Sequence, residues 1–333
     1  MKIYKVGGCI RDKILGIAAN DDDYVVIGST PQQMLALGFK QVGRDFPVFL
    51  HPKTHAEYAL ARSEKKIASG HKGFICDFNS SITLKQDLMR RDITINAIAQ
   101  DVTTNQLIDP FNGVQDLKDK VIRHVSDAFT EDPLRVLRVA RFAGKLNFSV
   151  APSTLQLMKE IVNNNDLLTL SRERIWLEIS KILALNSAAI AFTILNDIGA
   201  ISQILPELEG LIKNKNYYLQ YIAVITKLET APDFAVAHFA LLCYFIKIST
   251  NINNASNFIH HTIFNKKAIE LAMLLITLVD KIRILPQLPV AEIEKLVQQV
   301  DFMRHKSRFN DMIKLLNLIA IHCTDNILIK NVI

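Results

Sequence analysis

Three consecutive aspartates, Asp21-Asp22-Asp23, run straight into the apolar segment YVVIG at Tyr24–Gly28. In a strand, alternate side chains share a face, so Asp21 and Asp23 are expected to point together and Asp22 away. Upstream lies VGGCIRDKILG, in which Gly7 and Gly8 close a strand-like run and precede a helical one. Backbone N–H groups with no Cβ in the way can approach an anion there, and Arg11 and Asp12 follow within the first helical turn. Two carboxylates beside a glycine cradle make a site for a divalent cation and phosphate. Hard cations such as Mg²⁺ take oxygen ligands and share them with substrate phosphates. A glycine turn or a solvated acidic loop is the plainer use of either element alone; their order and spacing together favour the metal and phosphate site.

Two further segments carry charge in patterns suited to a nucleotide. LMRRDITINAIA places Arg90, Arg91, Asp92 and Asn96 between a helix end and a strand. Guanidinium forks bind phosphate oxygens and a carboxylate accepts from a ribose 2′-OH, although an isolated RRD also suits a surface ion-pair cluster. In TEDPLRVLRVARFAGKL, Thr130 is a plausible N-cap, with Glu131 and Asp132 in the first turn. Asp132 and Arg135 are three apart and so share a face. Arg138 and Arg141 continue that row, while Leu134, Leu137 and Phe142 pack elsewhere. A capped amphipathic helix with an internal ion pair accounts for this pattern. So does a device for reading bases: a carboxylate accepts from an exocyclic amino group while a guanidinium donates to the ring acceptor. Cytosine and adenine both present that pair, and uracil and guanine do not.

The elements that must position these residues fall into two kinds. Up to about residue 110 the chain alternates short strands with helices. The expected strands are IYKVGG, Tyr24–Gly28, Pro47–His51, Glu57–Arg62 and Thr94–Gln100. Thr30, Pro31 and Gln33 mark a capped helix, LHPKTHAE reads as a hairpin turn, and a mixed sheet with helices on one face fits the order. Gly70–Ser81 has little periodicity and reads as a mobile loop. Glu57, on a predicted strand, is a candidate third acidic group near the metals, though a hairpin glutamate is usually just exposed. From about Asn112 the pattern is helical, with no further strand signal, and the Asn163–Asn165 and Asn251–Asn254 patches read as loops. Trp176 reads as core, and His260-His261 as a surface pair without an evident acidic partner. The fold class is therefore α+β: a mixed-sheet head followed by an all-helical body.

Composition narrows the function classes. At 333 residues the chain has room for about two domains. Hydrophobic residues at 49% and charged residues at 22% exclude a mainly disordered chain. No apolar run reaches transmembrane length and Met1 leads directly into a strand-like segment, so a cytoplasmic location is expected. The four cysteines are far apart with no CxxC pair, which argues against a disulfide framework or zinc ribbon. Lys+Arg 39 against Asp+Glu 33 gives +6, a modest excess that suits a polyanion such as RNA.

GGxxRDxxLG followed by DxD and an apolar strand resembles the head of the class II nucleotidyltransferases. That group holds the bacterial CCA-adding enzymes and poly(A) polymerases within the DNA polymerase β-like superfamily. RRDxTINA, EDxxR and the neck-like SRERIWLEISKIL from Ser171 follow in the family's order, so the resemblance covers roughly residues 1–210. It implies a nucleotidyltransferase head over 1–125, a helical nucleotide-selecting neck over 126–205 and an RNA-binding helical body over 206–333. It further implies Asp21 and Asp23 as catalytic ligands of Mg²⁺, and Gly8, Arg11, Arg91, Asp92, Asp132, Arg135, Arg138 and Arg141 as nucleotide-binding residues. Asp132 and Arg135 would template C and A, Asp92 would recognise the ribose, and Arg138 and Arg141 would face phosphate; Arg174 would link the neck to the nucleotide helix. The implied substrates are CTP, ATP and the acceptor arm of tRNA, with no membrane or obligate protein partner. Longer relatives carry a phosphohydrolase domain marked by an HD dipeptide. None of the nine histidines here precedes an aspartate, and the nearest analogue, at His238, is followed by Tyr244 and Phe245, so that activity is not expected. Basic residues of the body, Arg304, His305, Lys306, Arg308 and Lys314, suit a duplex backbone, or simply a solvated face. Alternatives within the family are a poly(A) polymerase or a CC-only or A-only enzyme. Outside it they are a non-catalytic RNA-binding relative or a small-molecule nucleotidyltransferase.

Overall fold

The computed structural model describes residues 1–18, 22–42, 48–66, 74–77, 80–228, 234–300 and 306–322. They form two compact units, Met1–Leu170 and Ser171–Ile333.

The first unit begins with β1 (Lys2–Val6), α1 (Gly8–Ile14), β2 (Asp23–Ile27), α2 (Pro31–Ala36), β3 (Lys40–Val42), β4 (Val48–Leu50) and β5 (Glu57–Leu60). After β6 (Ser63–Lys66) and β7 (Phe74–Asp77) come α3 (Leu84–Met89), β8 (Ala99–Asp101) and β9 (Leu107–Ile108). Seven of these strands make one mixed sheet in the order β3-β4-β5-β2-β1-β8-β9. At its centre β2 runs parallel to β5, while β1 pairs antiparallel with both β2 and β8. Alternation along β2 sends Val25 to one side and Val26 to the other. Val25 joins a core with Tyr4, Val6, Leu88 and Ala97, whereas Val26 packs with Met34, Phe49 and Leu60. Leu88 belongs to α3 and Met34 to α2, so helices cover both faces of the sheet rather than one.

Local sequence explains the two helices that flank the sheet. Thr30 accepts from Gln33 N and the Gln33 side chain accepts from Thr30 N, with Pro31 at the first helical position. Thr83 and Gln86 repeat the same reciprocal pair at the start of α3. Three expectations need correction. Thr94–Asn96 is a 3-10 turn, and the strand begins only at Ala99. Phe74–Asp77, inside the segment read as a mobile loop, pairs antiparallel with Ser63–Lys66; residues 70–73 and 78–79 lie outside the described residues. Strand structure also persists past Asn112.

That later strand pair is β10 (Val121–Ile122), after α4 (Gly113–Asp119), and β11 (Ser149–Val150), after α5 (Leu134–Leu146). Such two-residue strands are too short to show a period in sequence. Helix α6 (Pro152–Asn163) completes the unit.

The second unit is helical throughout its described residues, from α7 (Arg172–Leu183), α8 (Ala188–Asp197), α9 (Ala200–Ile204), α10 (Glu209–Lys213) and α11 (Lys215–Ile225) to α12 (Phe234–Ser249), α13 (Ile252–His261), α14 (Lys266–Arg283), α15 (Val290–Val300) and α16 (Lys306–His322). Ser171 caps α7 as expected by accepting from Arg174 N. Asn251 caps α13, so the Asn251–Asn254 patch starts a helix instead of forming a loop. Trp176 is buried beside Phe239 and Phe258 and donates Nε1–H to the His261 carbonyl. His238 is fully buried; its ring nitrogens meet Tyr221 Oη at 2.6 Å and the Leu183 carbonyl at 2.8 Å. No helix among the described residues is long and apolar enough to cross a membrane.

Candidate active site

Gly7 leaves β1 with φ +76°, a left-handed conformation that disfavours any side chain, and turns the backbone into α1. A Cβ at Gly7 would also sit 3.0 Å from the Arg91 Nη1. Gly8 is the first residue of α1, with the Arg11 guanidinium next to where a Cβ would be. One turn on, Arg11 is buried; it donates Nη1–H to Asn96 Oδ1 at 2.6 Å and Nε–H to Asp12 Oδ1 at 2.7 Å.

The RRD segment follows α3, whose last turns organise it. Asp87 is completely buried and pairs with Arg90 at 2.7 Å and Arg91 at 3.4 Å. Burial alone would raise its pKa, but the two arginine charges outweigh that and hold the carboxyl below its ordinary value. The next three-residue turn, Thr94–Asn96, is fastened from behind: Thr94 donates to Asp116, Asp116 also accepts from Arg123, and Gly113 lies against the Thr94 carbonyl. Asp92 accepts from Ile93 N and Asn96 Nδ2 through one oxygen and from the Arg138 guanidinium through the other, at 2.8 Å. Burial pushes Asp92 up, yet Arg138 and these hydrogen bonds leave it below the ordinary carboxylate value. Asp92 is therefore an anion near neutral pH with both oxygens engaged, and a ribose hydroxyl would have to share them with Arg138.

Arg91 is the side chain most plainly built for an anionic ligand. Its Nη1 donates to the Asn96 carbonyl, while its Nε is buried with no hydrogen-bond partner among the described residues. A buried orphan donor on a guanidinium is costly unless something negative arrives to accept from it.

Helix α5 begins later than the sequence suggests. Thr130 belongs to a 3-10 turn, Asp127–Glu131, and donates back to the Asp127 carbonyl; Asp132 is extended and accepts from Leu134 N. Arg135 is buried with its two terminal nitrogens donating to the Ala128 and Arg90 carbonyls, both at 2.6 Å. It thus ties α5 to the start of the RRD segment. Phe142 does not pack away from the arginine row: the guanidinium carbons of Arg11, Arg138 and Arg141 lie 5.0, 5.7 and 4.2 Å from its ring centre. Lys145, one turn further, reaches Asp12 at 3.9 Å.

The acidic edge is formed where β2 and β5 begin. Asp23 and Glu57 are paired in register across these parallel strands, both exposed, so two carboxylates flank one position on the sheet. Asp22 turns the other way, to Lys5 at 2.6 Å and to the Tyr24 hydroxyl. Asp21 lies outside the described residues. Among those described, no group of three or more His, Cys, Asp or Glu side chains is gathered for a metal ion. The oxygen donors of Asp23 and Glu57 are nonetheless the type that Mg²⁺ takes, in the number usual when substrate phosphates and water complete the shell. Signals for the residues overlooked in the sequence were present: Asp87 stands three and four before Arg90 and Arg91, and Phe142 stands four after Arg138, both spacings that place side chains together on a helix.

In the second unit, Arg304 and His305 lie outside the described residues, and Arg308 is largely buried by an ion pair with Glu270 at 3.2 Å. His261 does have an acidic neighbour, Glu207 at 2.9 Å.

Residues 3–123 match the family described as the Poly A polymerase head domain, and residues 147–211 that described as a probable RNA and SrmB binding site of polymerase A. A Multifunctional CCA protein of Actinobacillus pleuropneumoniae is 53% identical over 214 residues, which is 63% of this chain and 52% of that protein. A CCA-adding enzyme of Actinobacillus succinogenes is 52% identical over 221 residues, 65% of this chain and 55% of the other. The chain spans about half the length of the curated relatives it matches. Among solved structures, the Bacillus stearothermophilus CCA-adding enzyme in complex with CTP is similar with a TM-score of 0.65 and 27% identity, covering 96% of this chain and 78% of that one. A tRNA nucleotidyltransferase complexed with a primer tRNA and an incoming ATP analog shares the fold at a TM-score of 0.66 and 24% identity, over 99% of this chain and 94% of its own.

Proposed function

The chain belongs to the class II CCA-adding enzyme and poly(A) polymerase family, and from that premise we propose that it adds C, C and A to the 3′ end of tRNA from CTP and ATP without a nucleic-acid template. The observation that carries this reading is the continuous chain of hydrogen bonds from Arg11 through Asn96 and Asp92 to Arg138, which unites the GGxxRD turn, the RRD segment and the EDxxR helix at one place.

In this reading the RNA 3′-oxygen attacks the α-phosphorus of the bound nucleotide, a new phosphodiester bond forms and pyrophosphate leaves. Asp21 and Asp23 would hold Mg²⁺, with Glu57 beside Asp23. The metal, when bound, supplies activation of the 3′-hydroxyl and charge neutralisation on the triphosphate. Arg91 offers its unpartnered Nε–H to the phosphates, and Gly7 and Gly8 let the ligand approach the backbone. Arg11, Arg138 and Arg141 neutralise the remaining charge, so alignment rather than covalent help carries most of the acceleration. Asp132 and Arg135 select C and A; for Arg135 this requires exchanging one of its two carbonyl partners for the base. The functional division is a head over 1–125, a neck over 126–205 and a body over 206–333 that holds the tRNA acceptor arm in the cytoplasm.

Purified protein incubated with Mg²⁺, tRNA lacking its 3′ end, CTP and ATP tests the reading on a sequencing gel. Three additions ending in A, with no further growth, are expected. Arrest after two C, or a ladder of A, would replace it with the CC-only or poly(A) reaction. No incorporation would reject transfer altogether.

A further inference from the structure

Helix α5 and α1 together bring an unusual density of positive charge to one small region. Among the described residues, Arg11, Arg138, Arg141 and Lys145 stand there with the carboxylates of Asp12 and Asp92. Burial together with the Arg11 and Arg141 charges pushes Lys145 down from its ordinary value, against the pull of Asp12. Asp12 and Asp92 hold Arg11 and Arg138 by their N–H edges, and a further group lies against the flat faces of the guanidiniums.

Phe142 is the group they share. Its ring is buried, and three guanidinium carbons lie within 5.7 Å of its centre. Arg138 arrives from one helical turn earlier, Arg141 from the adjacent position, and Arg11 from α1. The electron-rich face of a phenyl ring attracts a cation, more so where water is excluded. It also holds a guanidinium by its flat face, whereas a carboxylate holds it by its N–H edge. An aspartate in the same place would consume donors that a phosphate needs and add a negative charge to repel it. A ring does neither.

We propose that Phe142 is a positioning residue whose ring face holds Arg11, Arg138 and Arg141 as one cradle for the triphosphate of the incoming nucleotide. The inference rests on the nucleotidyl-transfer reading above and concerns how that site is kept assembled before substrate arrives. Phe142 closes a circuit with the polar network: Arg11 bonds Asn96, Asn96 bonds Asp92, Asp92 bonds Arg138, and the ring links Arg138 back to Arg11.

The test uses the full chain and inorganic tripolyphosphate, whose binding is read by calorimetry without any turnover. Phe142→Leu should weaken tripolyphosphate binding and raise KM for CTP about three- to tenfold, with a smaller change in kcat. Replacing Phe142 by mono-, di- and trifluorinated phenylalanine keeps volume and fold while draining charge from the ring face, so it decides the matter even where the leucine variant folds poorly. Affinity falling stepwise with fluorination is the expected result. Equal affinity across the fluorinated series, or no tripolyphosphate binding by the unaltered protein, overturns the proposal. Ring-dependent binding in a protein that incorporates no nucleotide would sink the transfer reading and leave the cradle standing.

Discussion

Asp87 shows how a single buried carboxylate governs a site it does not line. It neutralises Arg90 and Arg91 from below and leaves Arg91 aimed toward Gly7 with an unpartnered Nε. Asp87→Asn removes the charge and leaves two arginines facing a neutral amide, which should cost about 3 kcal/mol in urea unfolding and reduce triphosphate binding together. At the acidic edge, Asp23→Ala should abolish nucleotide incorporation while tRNA binding measured by gel shift stays largely intact. Near-normal turnover in that variant would remove Asp23 from the proposed metal ligands. Glu57 was hard to place from sequence because a glutamate after a hairpin turn has no distinguishing pattern; its meaning comes from standing opposite Asp23 across the sheet.

At the scale of elements, what matters is how tightly short segments are seated. The turn Thr94–Asn96 owes its place to α4, since Gly113 has room only for hydrogen: a Cβ there would meet the Thr94 carbonyl oxygen at 2.3 Å. Gly113→Ala should therefore destabilise the head by about 2–3 kcal/mol and disturb Asp92 and Asn96. A thermal melt read beside a nucleotide-binding assay would show both effects moving together; an unchanged melt would contradict the close approach. Helix α3 depends on its cap, and Thr83→Ala should cost about 1 kcal/mol, measured by the same melt. The sequence revealed the equivalent cap at Thr30 because a proline marked it, and the Thr83 pair follows the same rule without that marker. The late start of α5 was not legible, because Asp132 fits the first turn and the extended residue before it equally well.

For the whole molecule, acid separates the two units. His238 is buried among helices of the second, bonded to Tyr221 and Leu183, and burial lowers its pKa from 6.5 to about 4. The unfolded chain therefore binds a proton that the folded one refuses. Stability falls as pH drops from about 6.5 toward 4, by about 3 kcal/mol in all. Asp87 in the first unit behaves otherwise: its lowered pKa keeps its contribution intact until pH falls below the ordinary carboxylate value. Hydrogen exchange at pH 4.5 should accordingly show α7, α11 and α12 losing protection before the central sheet does. His238→Gln should flatten that dependence. Simultaneous loss in both units, or no change above pH 4, would refute the assignment.

Read alone, the sequence determined which residues could do chemistry and the order in which they occur. It also indicated β1, β2, β4 and β5 of the central sheet and the broad change from strands to helices, but neither β3 nor β9. Those features are local: a period of two or 3.6, a cap, a glycine turn and a charge three residues from its partner are all written within one element. The tertiary structure alone decided which motifs meet. The Arg11–Asn96 and Asp92–Arg138 bonds span 85 and 46 residues, and no periodicity encodes such contacts. It also turned Phe142 from an expected packing residue into the centre of an arginine cluster, because the partner that defines the role, Arg11, comes from a different helix.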